Sequence, residues 1–195
     1  MSSEPIPALQ QAQAELTQGV GRVLIPEEAI RQRVVEIGQQ ISHDYAGRNP
    51  LLVGVLKGVV FFMSDLLRAI TIPVRVDFIA ISRYDPRGRV KGPVRLIKDL
   101  DDNVEGQHLV FVEDMVDTGL TLSYLLRLLR ARAPASLEVC ALFNKPERRL
   151  ANVPIKYKGF DLPDRFVVGW GLDYREAYRH LPFVAELKPE VLGLS

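Results

Sequence analysis

The sequence predicts an α/β protein built on a mostly parallel central sheet flanked by helices. Short apolar runs bounded by turn residues recur at 51–56, 74–81, 107–112 and 136–143. Segments of helical spacing separate them, and alternation of this kind gives parallel strands joined by crossover helices. No internal repeat, low-complexity tract or clear linker breaks the order, and 195 residues at 47% hydrophobic suit one compact core.

Residues 1–20 are rich in Gln and Ala and carry Pro5 and Pro7, which predicts a peripheral N-terminal arm, with one domain over 21–195. Pro26, Glu27 and Glu28 then start a helix, with acidic groups at the positive end of its dipole. Ile30, Val34, Val35, Ile37 and Ile41 follow at helical spacing, and Asn49-Pro50 ends it. Residues 51–56 read as a buried strand, and Gly58 opens an apolar helix running to about Ala69. The β-branched run 74–81 is a second strand. Residues 83–93, with Pro, Gly and many charges, are a loop, and 94–98 pairs as a strand on its far side. A third strand at 107–112 leads into a helix at 119–132, whose apolar side carries Leu122, Leu125, Leu126, Leu128 and Leu129. Strands at 136–143 and 166–170 complete the count. Right-handed crossovers place ligand-binding loops at the carboxyl ends of such strands.

Composition narrows the function. Lys and Arg number 25 against 24 Asp and Glu, so no global charge draws the chain to nucleic acid or to anionic membrane. Cys140, alone in an apolar run, reads as a small buried hydrophobe. No segment has the ~18 apolar residues of a membrane span, and the N-terminus lacks a secretion signal, so a cytoplasmic enzyme is expected. Neither G-x-x-x-x-G-K-[ST] nor G-x-G-x-x-G occurs, and His43, His108 and His180 are scattered without metal spacing. The acidic run 99–105 fails as a calcium loop, with Val104 where glycine is needed and Val110 where a glutamate is needed.

The most informative stretch is Val110-Phe111-Val112-Glu113-Asp114-Met115-Val116-Asp117-Thr118-Gly119-Leu120-Thr121. An apolar strand runs into two carboxylates, a third follows, and small or hydroxylated residues open a helix. Gly119 permits a tight turn, Thr118 and Thr121 offer hydroxyls, and the free N–H groups from Gly119 through Leu120 suit a monophosphate. Glu113 and Asp114 only accept hydrogen bonds, which fits them to sugar hydroxyls or to waters around a divalent metal. Asp117 stands at the strand–helix junction, where it can face a substrate. Capping by Asp117 and Thr118 above a solvated turn is the plain alternative.

This string resembles the ribose-phosphate motif of the type I phosphoribosyltransferases, and its form E-D-M-V-D-T-G-L-T is similar to that of the hypoxanthine-guanine phosphoribosyltransferases. The resemblance runs from about Val23 to Val191. It implies transfer of a phosphoribosyl group from phosphoribosyl pyrophosphate to a 6-oxopurine in purine salvage, with Mg²⁺ as cofactor and a homodimer or homotetramer as the assembly. No nucleic-acid or membrane partner is implied.

Leu56-Lys57-Gly58 matches the family's pyrophosphate loop, which implies a cis peptide between Leu56 and Lys57. Arg83-Tyr84 opens a segment similar to the family's mobile lid, about 82–95, where Arg87, Arg89, Lys91 and Arg95 add positive charge. Relatives often carry Ser before that tyrosine; here it is Arg83. Lys145 matches the lysine that meets the purine O6, and Phe166 and Val167 match the stacking ring and the backbone that reads the base edge. Asp173 resembles the carboxylate that holds Mg²⁺ beside base and pyrophosphate, with Glu113 and Asp114 reaching a metal through water or ribose. Arg179 resembles the arginine that clamps the pyrophosphate. The implied base-binding hood spans about 145–195 with part of the N-terminal region. Asp117 is the expected general base or acceptor at purine N7. Relatives that only sense the activated ribose and act on nucleic acid often lack base-site or pyrophosphate residues; Lys145, Phe166, Asp173 and Arg179 are all present here.

Overall fold

The computed structural model describes residues 17–82 and 95–193. Six strands form the main sheet: β2 (Leu51–Val55), β3 (Arg75–Ser82), β4 (Arg95–Lys98), β5 (His108–Val116), β6 (Ser136–Asn144) and β7 (Tyr157–Asp161). Their order is β4-β3-β2-β5-β6-β7. Every pairing is parallel except β3 with β4.

Helix α1 (Glu27–Asp44) precedes β2, α2 (Val59–Ala69) links β2 to β3, and α3 (Leu120–Arg130) links β5 to β6. Alternation along β5 splits the core in two. Val110 and Val112 pack with α1 and α2 on one face, and Leu109 and Phe111 pack with α3 on the other. Leu122, Leu125, Leu126 and Leu129 of α3 are buried, each such side chain contributing about 1.5–3 kcal/mol.

A second, antiparallel sheet of order β1-β9-β8 is made from β1 (Val20–Ile25), β8 (Val167–Val168) and β9 (Val184–Leu187), and the short helix α4 (Pro189–Leu192) follows. The strand expected over 166–170 is thus only two residues long and lies in this small sheet, not the main one. Gly169, Trp170 and Gly171 all have positive φ, and this stops the strand. Trp170 and Val167 pack into the α1–α2 core, tying the small sheet to the large one.

Strand β5 runs four residues past its expected end at 112. Glu113, Met115 and Val116 pair with Ala141, Phe143 and Asn144 of β6, so both acids stand on the strand and not in a turn. All parallel strands point one way. The loops after β2, β5 and β6 therefore meet at one edge of the sheet.

Candidate active site

The loop between β5 and α3 follows from its sequence. Gly119 takes φ +77°, a left-handed conformation open to glycine, and caps α3 without any side-chain cap. A Cβ there would stand 3.0 Å from the Ala151 carbonyl oxygen and from Arg149 Nη1. The backbone N–H groups of Leu150 and Ala151 donate to the Thr118 carbonyl at 2.9 and 3.1 Å, holding the turn from behind. Thr118 Oγ1 meets the Leu120 N–H only at 3.5 Å, so capping does not consume the helix start. A recess of about 130 Å³ opens here, lined by Glu113, Asp117, Thr118, Gly119, Thr121 and Arg148 among others.

Adjacent residues on a strand face opposite ways, and the two acids of β5 accordingly part company. Glu113 lines the recess, and burial, then the Asp114 charge, pushes its carboxyl well above the usual range. Asp114 faces the loop after β2. A Cβ on Gly58 would lie 1.9 Å from Asp114 Oδ2, so only glycine fits against that carboxylate. Asp114 Oδ1 accepts from the Met115 N–H at 2.7 Å. Burial pushes its carboxyl up to about 6, with Asp173 adding to the rise and Arg179 opposing it.

The Leu56–Lys57 peptide is cis, as the resemblance implies. Gly58 and Gly171 touch through their backbones: a Cβ on Gly171 would fall 2.2 Å from the Gly58 carbonyl oxygen. Gly171 also bonds reciprocally to Arg179, its N–H donating to the Arg179 carbonyl at 2.8 Å and its own carbonyl accepting from Arg179 Nη1 at 2.8 Å. Arg179 Nη2 lies 2.8 Å from Asp173 Oδ1. Lys57 Nζ reaches across to Glu176 Oε2 at 3.1 Å. Lys57, Gly58, Asp114, Asp173 and Arg179 are therefore brought together, although 122 positions separate the first from the last (179 − 57).

A larger cavity of about 520 Å³ adjoins the recess, lined by Lys145, Arg148, Asp164, Phe166 and Glu186 among others. Its volume suits a small planar molecule. Lys145 is only 5% exposed, and its Nζ donates to the Arg165 carbonyl at 2.5 Å. Burial lowers its ammonium, with the Asp117 charge opposing the drop. Its N–H donates to the Val116 carbonyl at 2.9 Å, which fixes it to the end of β5. Phe166 is exposed and meets Tyr174 edge-on at 5.4 Å, while Val167 is buried. Arg148 lines both spaces, with Nε 2.8 Å from Asp117 Oδ1 and Nη1 3.2 Å from Asp164 Oδ1.

Arg83 and Tyr84, with Arg87, Arg89 and Lys91, lie outside the described residues. Arg148, Arg149 and Glu176 had no signal in the sequence beyond a charge in a polar turn. The volume of about 580 Å³ beside Glu36, His43 and Asp44 is remote from these residues, and its polar groups serve each other. There Tyr157 Oη donates to Asp44 at 2.7 Å, and Lys156 lies 3.1 Å from the same carboxylate.

Comparison with known proteins places the fold and the family. The family model described as "Phosphoribosyl transferase domain" matches residues 25–175. A hypoxanthine-guanine phosphoribosyltransferase of Streptococcus agalactiae is 46% identical over 176 residues, 90% of this chain and 98% of that one. One from Mycobacterium tuberculosis is 48% identical over 185 residues, covering 91% and 92%. The crystal structure of a hypoxanthine phosphoribosyltransferase from Staphylococcus aureus superposes with a TM-score of 0.85 at 42% identity, covering 91% of this chain and 96% of that one.

Proposed function

The chain belongs to the phosphoribosyltransferase family, and from that premise we propose that it moves the 5-phosphoribosyl group of phosphoribosyl pyrophosphate to hypoxanthine or guanine, releasing pyrophosphate. The observation that carries this reading is the adjacency of two spaces. A phosphate-sized recess at Asp117–Thr121 abuts a purine-sized cavity at Lys145 and Phe166, and a cluster of mixed charge, Lys57 and Arg179 with Asp114, Asp173 and Glu176, completes the set.

In the reaction the bond from the anomeric carbon to pyrophosphate oxygen breaks, and a bond to a purine ring nitrogen forms. The ring oxygen lets that carbon carry positive charge, so the transition state is oxocarbenium-like. The N–H groups from Gly119 and the Thr118 and Thr121 hydroxyls hold the 5-phosphate. Glu113 and Asp114 flank the ribose from the two faces of the sheet, and ionised they favour a cationic sugar. Asp117 takes the hydrogen bond or proton at purine N7, lowering the charge the base gains on attack. Lys145 donates to the 6-oxygen, which disfavours adenine because its 6-amino group is itself a donor. Phe166 stacks on the ring and the Val167 backbone reads its edge. Lys57 and Arg179 offset charge on the departing pyrophosphate.

Mg²⁺ fits the residues present. It takes one or two carboxylates and completes its shell with substrate phosphates and water. Asp173, with Asp114 close enough to feel its charge, supplies that donor set. Bound there, the ion would neutralise pyrophosphate charge.

The reading extends to a cytoplasmic homodimer or homotetramer; among the described residues no helix is long and apolar enough to cross a membrane. The deciding experiment incubates the protein with Mg²⁺, phosphoribosyl pyrophosphate and hypoxanthine, guanine, xanthine or adenine in turn. Nucleotide from the first two and none from adenine is the expected result. Absence of product from every base would overturn the proposal.

A further inference from the structure

The turn 173–179 holds three non-glycine residues with positive φ: Arg175 at 52°, Glu176 at 63° and Tyr178 at 73°. Such conformations cost energy and recur at functional sites. The Glu176 side chain of this turn lies between Lys57 and Arg179. Its backbone N–H donates to Asp173 Oδ2 at 2.9 Å, which anchors the base of the side chain. Its carboxylate then reaches Lys57 Nζ at 3.1 Å and Arg179 Nη2 at 3.5 Å. Lys57 follows β2 and Arg179 precedes β9, so Glu176 is the carboxylate on which cations from two separate loops converge.

We propose that Glu176 is a built-in competitor of the diphosphate. It pairs with Lys57 and shares Arg179 with Asp173 before the donor binds, gives way when the diphosphate end of the donor arrives, and recaptures both cations as pyrophosphate leaves. The inference rests on the reading of Lys57 and Arg179 as the pyrophosphate side. A single carboxylate carries one charge and pyrophosphate several, so the exchange favours substrate. The Lys57 and Glu176 side chains are 71% and 64% exposed, which keeps the pair weak and quickly broken. A weak competitor suits a site that must also let its product go, since release limits many enzymes.

The test is Glu176→Gln, which keeps the side chain's size and the N–H bond to Asp173 while removing the charge. Titration of inorganic pyrophosphate into the full chain with Mg²⁺, followed by calorimetry, should show roughly two- to fivefold tighter binding than wild type, the scale of exposed ion pairs. The KM for phosphoribosyl pyrophosphate should fall by a similar factor while the KM for the purine stays put, a split that a structural role would not produce. In a Lys57→Met background the same Glu176→Gln change should gain less, because one of the two cations is already gone. Unchanged or weaker pyrophosphate binding by Glu176→Gln, with wild type binding normally, overturns the role of Glu176 alone. Failure of wild type to bind pyrophosphate at all overturns the pyrophosphate reading of this face, and the competitor with it.

Discussion

Replacing Asp114 by Asn should make the ligand-free protein more stable while impairing its chemistry. The Asp114 carboxyl is pushed up to about 6 from its ordinary value of 3.8, chiefly by burial. A gap of about two pH units corresponds to about 3 kcal/mol, at ~1.36 kcal/mol per unit. The sign follows from proton counting. Between about pH 4 and pH 6 the folded state keeps a proton that the unfolded chain has released, so stability falls as pH rises through that window. Above it the folded protein carries a half-buried, costly charge. Asn keeps an oxygen to accept from the Met115 N–H and carries no charge, although it also forfeits the attraction of Arg179. The net gain at neutral pH should then be about 1–3 kcal/mol, a Tm rise of roughly 2–12 °C for a chain of this size. Thermal melts without substrates from about pH 4 to pH 8 would measure it. The difference between variant and wild type should be near zero at the acid end and reach a plateau above about pH 7. A variant no more stable than wild type at about pH 8, or an advantage independent of pH, would refute the argument from burial.

Asp117→Asn should lower kcat by about 10²-fold or more while leaving both KM values within a few-fold, as expected for a group acting on a proton in the transition state; steady-state kinetics decides, and an unchanged kcat removes Asp117 from that role. Lys145→Ala should erode the preference for 6-oxopurines over adenine, measured as the ratio of kcat/KM values, and an unaltered ratio would end the assignment. Gly58→Ala should destabilise the fold by about 1–3 kcal/mol, the usual cost of overpacking, because its Cβ would stand 1.9 Å from Asp114 Oδ2; urea melts with a wild-type midpoint would show that the contact relaxes freely.

How far the sequence could be read depended on whether a segment's job was local. The strands 51–55 and 136–144 are apolar because most of their residues are buried, and 75–82 is half-buried with Ile79 at its centre; their runs stand out without any partner. Strand β5 looked four residues shorter than it is, because hydrophobicity stops at Glu113. The backbone continues to pair with β6 although the two acids end the apolar run. Strands β1, β7 and β9 went unread for a different reason. Val20–Ile25 carries Gly21 and Arg22, Tyr157–Asp161 carries Lys158 and Gly159, and Val184–Leu187 carries Glu186. Each is stabilised by a partner strand far away in the chain, which no local window contains. The site divides the same way. Residues 113–121 form one contiguous string whose parts explain each other, whereas Arg148 and Glu176 gain meaning only from the carboxylate or cations that the fold places opposite them.

The strengths of the contacts around the site sort them into those that hold it and those a substrate must break. Gly58 packs backbone to backbone against Gly171, and hydrogen bonds join Gly171 to Arg179, once through its backbone and once through its guanidinium, and the Thr118 carbonyl to Leu150 and Ala151. Releasing those hydrogen bonds would leave polar groups unmatched, at about 1–3 kcal/mol each. On the proposed reading they fix the pyrophosphate side and the phosphate side as preformed walls. Lys57 with Glu176, and Asp117 with Arg148, are instead ion pairs whose partners are all more than 40% exposed. Pairs of that kind contribute about 0–1 kcal/mol. Substrate entry therefore exchanges weak side-chain pairs for stronger ones and leaves the walls in place. Arg148 and Glu176, two of the residues the sequence could not single out, fit that proposed exchange: each pairs a charge assigned to substrate with a weakly held partner.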